Sequence, residues 1–198
     1  MHFIQNIISL KNQSTYYKDV YHEKKLIMIQ KNIITEHGKL IAIGDENFLY
    51  ILKFSNDKHL DREVDRLENT TRKSIIIGTN ALLEKVEQEI TAYLAGSRKE
   101  FTIPVNPAGT NFQQKSWKAL QTIPYGKTTS YAKQAAIVGS PQGHRAVANA
   151  NGKNPILIII PCHRIINSNG KLGGYTAGLD LKEIFLNLEK NNSSNFFI

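Results

Sequence analysis

The sequence predicts an α/β protein of two domains: a small N-terminal sheet with helices over residues 1–106, and a mostly helical domain over 107–198 that carries a helix-turn-helix and the sole cysteine. Three observations carry this prediction. Short apolar runs bounded by glycine and aspartate crowd the first third of the chain, the pattern of strands joined by tight turns. A stretch with Pro104, Pro107 and Gly109 breaks the chain near its middle and reads as a boundary. Beyond it, apolar residues recur at helical spacing between paired turn signals.

In order along the chain, residues 1–25 are polar and mixed and carry no motif. Leu26–Ile29, Leu40–Ile43 and Phe48–Leu52 read as strands, with Gly38, Gly44 and Asp45 at their turns. Leu60, Val64 and Leu67 fall at i, i+4 and i+7 among Asp and Arg residues, which predicts an amphipathic helix facing solvent. Ile75–Ile77 reads as a further strand. Leu83, Val86, Ile90, Tyr93 and Leu94 repeat at helical spacing, and Gly96 stops that helix. Nothing in this half looks catalytic, so a scaffolding role is expected for it.

Phe101–Val105 is expected to cross the boundary extended. Thr110 followed by Gln113 is a capping-box pattern, predicting a helix that carries Phe112, Trp117 and Leu120 inward and ends at Ile123-Pro124-Tyr125-Gly126. Thr129-Ser130 can cap a second helix, Tyr131 to Val138, which Gly139 terminates. A third is expected from about Pro141 to Asn151. Two helices joined by a tight glycine-containing turn read as a helix-turn-helix. On the second of these, Arg145 is the long cation among Gly143, Ala146, Ala148 and Ala150. So bare a helix can approach a DNA backbone or enter the minor groove, where little beyond A·T against G·C is distinguished. Alanines packed against the neighbouring helix are the alternative.

Composition narrows the partners. With 198 residues and 41% hydrophobic content, the chain can bury a core as one large or two small domains. A formal charge of +8 and a pI near 9.5 favour a polyanion, nucleic acid ahead of an anionic membrane surface. One cysteine excludes an intramolecular disulfide and a cysteine-rich zinc site, and suits a reducing compartment. The first residues lack a basic segment, Ile7-Ile8 is too short for a signal core, and no apolar run approaches a membrane span. A cytoplasmic protein is expected, with access to the nucleus where there is one.

The cysteine closes an apolar run, Ile156-Leu157-Ile158-Ile159-Ile160-Pro161-Cys162-His163-Arg164-Ile165-Ile166. This reads as a buried extended segment, from which Pro161 bends the chain toward a surface. Burial would raise the thiol pKa, whereas His163 and Arg164 are expected to lower it. Ionising a free thiol at neutral pH takes roughly 2.7 kcal/mol, within reach of one imidazole base held in place. A small buried hydrophobe is the competing reading of a lone cysteine.

Ile160-Pro161-Cys162-His163-Arg164-Ile165-Ile166, preceded by Asn154-Pro155 and followed by Gly174-Tyr175 and Lys182, resembles the signature of the O6-alkylguanine-DNA alkyltransferases, or methylated-DNA-protein-cysteine methyltransferases. The matching motifs run from about Gly109 to Glu189. The resemblance implies a ribonuclease H-like N-terminal domain and one reaction, the irreversible transfer of an alkyl group from guanine O6 to Cys162. It also implies roles: His163 takes the thiol proton through a water, Glu189 orients the imidazole, Tyr131 protonates guanine N3, and Asn154 fixes the cysteine loop. Arg145 is the finger that fills the stack when the nucleotide flips out, on the helix that Ala146 lets approach DNA. The carbonyls of Cys162 and Ile165 accept from the exocyclic amine, Thr176 donates to O6, Tyr175 packs on the base, and Ser168 meets a phosphate.

The implied partner is double-stranded DNA containing O6-alkylguanine, bound through the minor groove by a monomer, with no cofactor and no metal. The zinc cysteines of some relatives are missing here. The sequence departs from the family pattern at His144, Ala148, Asn149 and Ala177, where smaller residues, mostly glycine or alanine, are usual. Competing functions are a non-catalytic protein that flags alkylated bases, a Cys-His hydrolase and a transcription regulator. The first is disfavoured by the cysteine, the second leaves the charge and the helix-turn-helix unexplained, and the third lacks an effector domain.

Overall fold

The computed structural model describes residues 27–193. The absence of a motif before residue 26, the start of the first predicted strand at Leu26 and any fraying of residues 194–198 lie outside the described residues. Strands β1 (Ile27–Thr35), β2 (Gly38–Gly44), β3 (Leu49–Phe54) and β4 (Ser74–Ile77) form one sheet in the order β3-β2-β1-β4, with β4 parallel to β1 and the other pairs antiparallel. Gly38, at φ 120°, takes the backbone conformation that closes the first hairpin. Along β2 the side chains alternate, so Leu40 and Ala42 enter one core while Ile41 and Ile43 enter the other.

The smaller core lies under α1 (Leu60–Thr71), which contributes Leu60 and Leu67 with Val64 alongside. The larger core lies under α2 (Ala81–Leu94) and continues without a break into the C-terminal half, taking in Trp117, Ile156–Ile160, Cys162 and Phe185. Val105 and Ile156 each bridge to β3, at Leu49 and Leu52. An edge that would otherwise present unpaired backbone groups is thereby covered by the chain that leads to the cysteine.

The C-terminal half holds α3 (Asn111–Gln121), β5 (Thr129–Ser130), α4 (Tyr131–Ile137), α5 (His144–Asn151), a 3₁₀ turn (Cys162–Arg164), β6 (Ile165–Ile166) and α6 (Leu179–Ser193). The capping box at Thr110 and Gln113 is present, and the Ser130 side chain caps α4. Trp117 is core, its indole donating to the Ala150 carbonyl at 2.9 Å. Gly139, at φ 78°, reverses the chain between α4 and α5.

Several expectations are corrected. Helix α5 starts at His144 rather than Pro141, because residues 141–143 turn, with Gly143 N–H donating to the Ser140 carbonyl. Phe112 is only half-buried, as it lies in the first turn of α3. The spacing of Leu181, Ile184, Phe185 and Leu188 predicts that all four share the inner face of the last helix, yet Ile184 is 38% exposed, because Lys182, Phe185 and Glu189 define the inner face of α6. The Asn- and Ser-rich composition from Lys190 onward predicts a frayed end, but Lys190 to Ser193 continue that helix.

The larger correction concerns Ile156–Ile160, which is buried but not extended. After the bridge at Ile156 the chain winds through tight turns, Ile159 N–H to the Leu157 carbonyl and Ile160 N–H to that of Ile156, with Ile158 at φ 69°. A β-branched residue is strained there, by about 1–3 kcal/mol. Near-complete burial holds the run in that shape.

Candidate active site

Asn154 grips the strained run at both ends. Its Oδ1 accepts from the Ile156 N–H at 3.0 Å, and its Nδ2 donates to the Ile160 carbonyl at 2.8 Å and to the Cys162 Sγ at 3.2 Å. One buried amide therefore sets both the turn and the sulfur. Burial pushes the Cys162 thiol up, while the Asn154 hydrogen bond and the Lys182 charge oppose that rise.

Arg164 does not face the thiol, contrary to the expectation that it acidifies the cysteine. The short 3₁₀ turn sends the side chains of Cys162 and Arg164 apart, and the guanidinium meets Glu189, with Nε to Oε2 at 2.9 Å and Nη2 to Oε1 at 2.9 Å. Its Nη1 donates to the Ile123 carbonyl at 2.6 Å. Glu189 is 1% exposed and also bonds His163 Nε2 at 2.9 Å, the Tyr93 hydroxyl at 2.9 Å and the Gly126 N–H at 2.9 Å. Burial raises this carboxyl, but the bonds from His163 and Arg164 win and hold it down at about 2.

An ionised Glu189 requires a proton on His163 Nε2, which fixes the neutral tautomer with Nδ1 bare. That Nδ1 is buried and has no hydrogen-bond partner among the described residues. Burial lowers the imidazole pKa against the pull of Glu189, so the ring is a neutral base near pH 7.

Cys162 is 5% exposed and lies at the floor of a cleft of about 830 Å³. One wall is α5 with His144, Arg145, Ala148 and Asn149; another is Tyr131, Gly174, Tyr175 and Thr176; Asn167 and Ser168 lie at the rim. Lys58 and His59 reach the same cleft from the N-terminal half. The Tyr131 hydroxyl approaches the Gly174 carbonyl at 3.4 Å, and burial, then the Cys162 charge, raises its pKa. Thr176 Oγ1 donates to the Gly152 carbonyl at 3.1 Å, joining its loop to the end of α5. The buried Tyr175 hydroxyl has no hydrogen-bond partner among the described residues.

The predicted residues thus divide into two layers. Cys162, Arg145, Tyr131, Tyr175, Thr176 and Ser168 border the cleft, whereas Asn154, His163, Glu189 and Ile165 are buried behind it. Ala146 is exposed on α5 but does not line the cleft.

Three contributors are not apparent from the sequence. Tyr93 looks like one more apolar position of a scaffold helix, yet its hydroxyl bonds Glu189. Gly126 looks like a helix stop; at φ 72° it aims its N–H at Glu189, and a Cβ there would collide with Ser193 Oγ. Lys182 belongs to the family signature, but no role follows from its position in the chain. Fully buried, it donates to the carbonyls of Ile165 at 2.6 Å, Gly174 at 3.2 Å and Leu172, tying the cleft loop to β6. Its pKa falls to about 8 through burial, against the pull of Cys162. Among the described residues no cluster of His, Cys, Asp or Glu could hold a metal ion, and no helix is long and apolar enough to cross a membrane.

Fold and site together define a protein built around a buried cysteine served by a histidine and a glutamate. Residues 28–107 match the 6-O-methylguanine DNA methyltransferase ribonuclease-like domain, and residues 111–191 match the DNA binding domain of the same family. A methylated-DNA-protein-cysteine methyltransferase of Methanosarcina barkeri is 41% identical over 156 residues, which is 78% of this chain and 92% of that protein. The inducible one of Bacillus subtilis is 45% identical over 176 residues, covering 84% and 97%. The Mycobacterium tuberculosis OGT, solved in complex with DNA, superposes with a TM-score of 0.73 at 37% identity, over 83% of this chain and 94% of that one. The chain belongs to the methylated-DNA-protein-cysteine methyltransferase family.

Proposed function

We propose that this chain repairs DNA by direct reversal, taking the alkyl group from O6 of guanine onto Cys162 once per molecule. The observation that carries the reading is a thiol at the floor of a cleft, backed by an imidazole whose proton position a buried carboxylate dictates. His163, through a water, takes the thiol proton, and Glu189 stabilises the resulting imidazolium. The sulfur lone pair then forms the S–C bond while the C–O6 bond breaks, its electrons passing to the guanine ring. Tyr131 gives N3 a proton, so the base leaves neutral. The thioether is stable, which makes the protein its own stoichiometric acceptor.

Recognition follows from the same cleft. Double-stranded DNA lies with its minor groove against α5, and Arg145 fills the stack as the nucleotide rotates out; extrusion costs a few kcal/mol, less for a weakened alkylated pair. The carbonyls of Cys162 and Ile165 each hold one hydrogen bond already, from Ile165 N–H and from Lys182, and each retains a lone pair for the guanine amine. Tyr175 packs on the base, Thr176 turns from Gly152 to O6, and Ser168 meets a phosphate. The protein acts as a monomer, with its division between residues 106 and 107.

Mass spectrometry after mixing with duplex DNA containing O6-methylguanine tests this. One added methyl on the Cys162 peptide, at a yield never above one per protein, is expected. Repeated turnover would indicate a hydrolase, and binding without a mass change would indicate a flagging protein; either overturns the proposal.

A further inference from the structure

We infer that the N-terminal domain carries a second DNA-backbone surface, a basic ridge of Lys58, Arg62 and Arg66 continuous with the cleft. The inference rests on the DNA-repair reading and adds a function to a half of the chain that its sequence marks only as scaffold.

The ridge is built, not incidental. Lys58 sits in the turn between β3 and α1, and that turn is anchored from beneath by Lys53, a fully buried lysine. Lys53 Nζ lies 3.1 Å from Asp57 Oδ2 and 2.7 Å from Glu63 Oε1. Asp57 in turn holds the turn's own backbone, its Oδ1 accepting from His59 N–H at 2.8 Å and its carbonyl from Leu60 N–H at 3.0 Å. A buried ion cluster of this kind costs desolvation and is weak evidence for stability alone. What it does here is hold Lys58 and His59 at the wall of the cleft that contains Arg145 and Cys162.

From that point the cations continue along α1 at four-residue spacing. Arg62 and Arg66 stand one turn apart, about 6 Å along the axis, on the side opposite Leu60, Val64 and Leu67. Asp61 and Glu68 fall about 100° or more round from the arginines, whereas Asp65 and Glu63 lie about 60° from Arg62 and Arg66 respectively, one on either flank of the ridge. Among the described residues, no carboxylate pairs with Lys58, Arg62 or Arg66. All three are exposed.

The ridge leads into a second depression of about 290 Å³, bordered by Arg62, Arg66 and Lys153. Lys153 follows Gly152, which lines the main cleft, so the two concavities meet at the turn just past the C-terminal end of α5. Glu63 also borders this depression, but its Oε1 is engaged by Lys53. A row of cations without carboxylate partners, running out of a DNA cleft, fits the phosphates of the duplex flanking the lesion, which carry one charge per about 1.7 Å of axis. Such interactions position the protein without reading sequence.

The test is the salt dependence of binding to an unmodified duplex by the full chain. Removing one cation that neutralises a phosphate lowers the slope of log affinity against log salt by about 0.9, so Lys58→Ala/Arg62→Ala/Arg66→Ala should flatten it by about 2–3. A charge-retaining variant, Lys58→Arg/Arg62→Lys/Arg66→Lys, should keep the wild-type slope. Thermal unfolding reports whether each variant is folded, and if the triple alanine variant is not, Lys58→Glu alone must flatten the slope by about 1. A wild-type slope in the alanine variants, or an equal drop in slope in the charge-retaining one, overturns the ridge. Failure of wild-type protein to gain a methyl on Cys162 would instead overturn the repair reading, and the slope comparison would stand apart from it.

Discussion

Glu189→Gln should be the most informative single substitution, because it keeps the volume of the side chain and removes only its charge. Burial opposes that charge, yet bonds from His163 and Arg164 bring the carboxyl from 4.5 to about 2. Such a displacement is worth about 3 kcal/mol of folding stability. The folded pKa lies below the unfolded one, so the contribution is complete above about pH 4.5 and is lost as the pH falls through about 2. In the glutamine variant Arg164, 6% exposed, keeps the Ile123 carbonyl but loses its counter-ion. A buried charge left unpaired costs about 3–5 kcal/mol. Urea unfolding at about pH 7 should show that loss, and the gap between wild type and variant should narrow by about 3 kcal/mol on acidification to about pH 2. Single-turnover transfer to Cys162 should slow by about 10²–10⁴-fold as His163 loses the group that fixes its tautomer. A variant within about 1 kcal/mol of wild type, or a gap that ignores pH, would refute the account of Glu189 as an ionised hub.

Asn154→Ala removes the donor 3.2 Å from Sγ, and the pH profile of Cys162 alkylation by iodoacetamide should move upward by about 1–2 pH units; an unmoved profile would contradict the thiol-tuning role. Tyr93→Phe should cost about 1.5–3 kcal/mol in denaturant unfolding and show coupling above about 0.5 kcal/mol to Glu189→Gln in a double-mutant cycle, whereas additive effects would mean that the hydroxyl acts elsewhere. Arg145→Ala should leave reaction with free O6-benzylguanine intact and slow repair in duplex DNA by at least about tenfold, and equal loss on both substrates would remove the finger role.

How much was legible varied with how local the signal was. The capping box at Thr110 and Gln113, the cap at Ser130 and the stripe Leu60, Val64 and Leu67 are contained within one turn or two, and each appears where the sequence places it. The run before Cys162 misled because β-branched and apolar residues in succession look the same in a strand and in a buried turn. What bends it is Asn154, together with the edge of β3, to which the run is bridged at Ile156. Arg164 misled for a similar reason. Adjacency to Cys162 suggested a partner for the thiol, but a 3₁₀ turn separates neighbours and delivers the guanidinium to a helix 25 residues further on.

By itself, the sequence determined the kind of chemistry and where the chain would carry it: a lone thiol beside an imidazole, a bare helix with one arginine, and an excess of positive charge. Those are statements about residue types and short spacings, which survive without knowledge of distant neighbours. Only the tertiary structure decided which groups govern the thiol, because the hub at Glu189 joins Tyr93, Gly126, His163 and Arg164 across 96 residues of chain. It alone also placed Lys58 at the wall of the cleft, through a lysine buried beneath the turn. Burial sets the dielectric in which these charges act, and burial is a property of the packed chain, not of any segment of it.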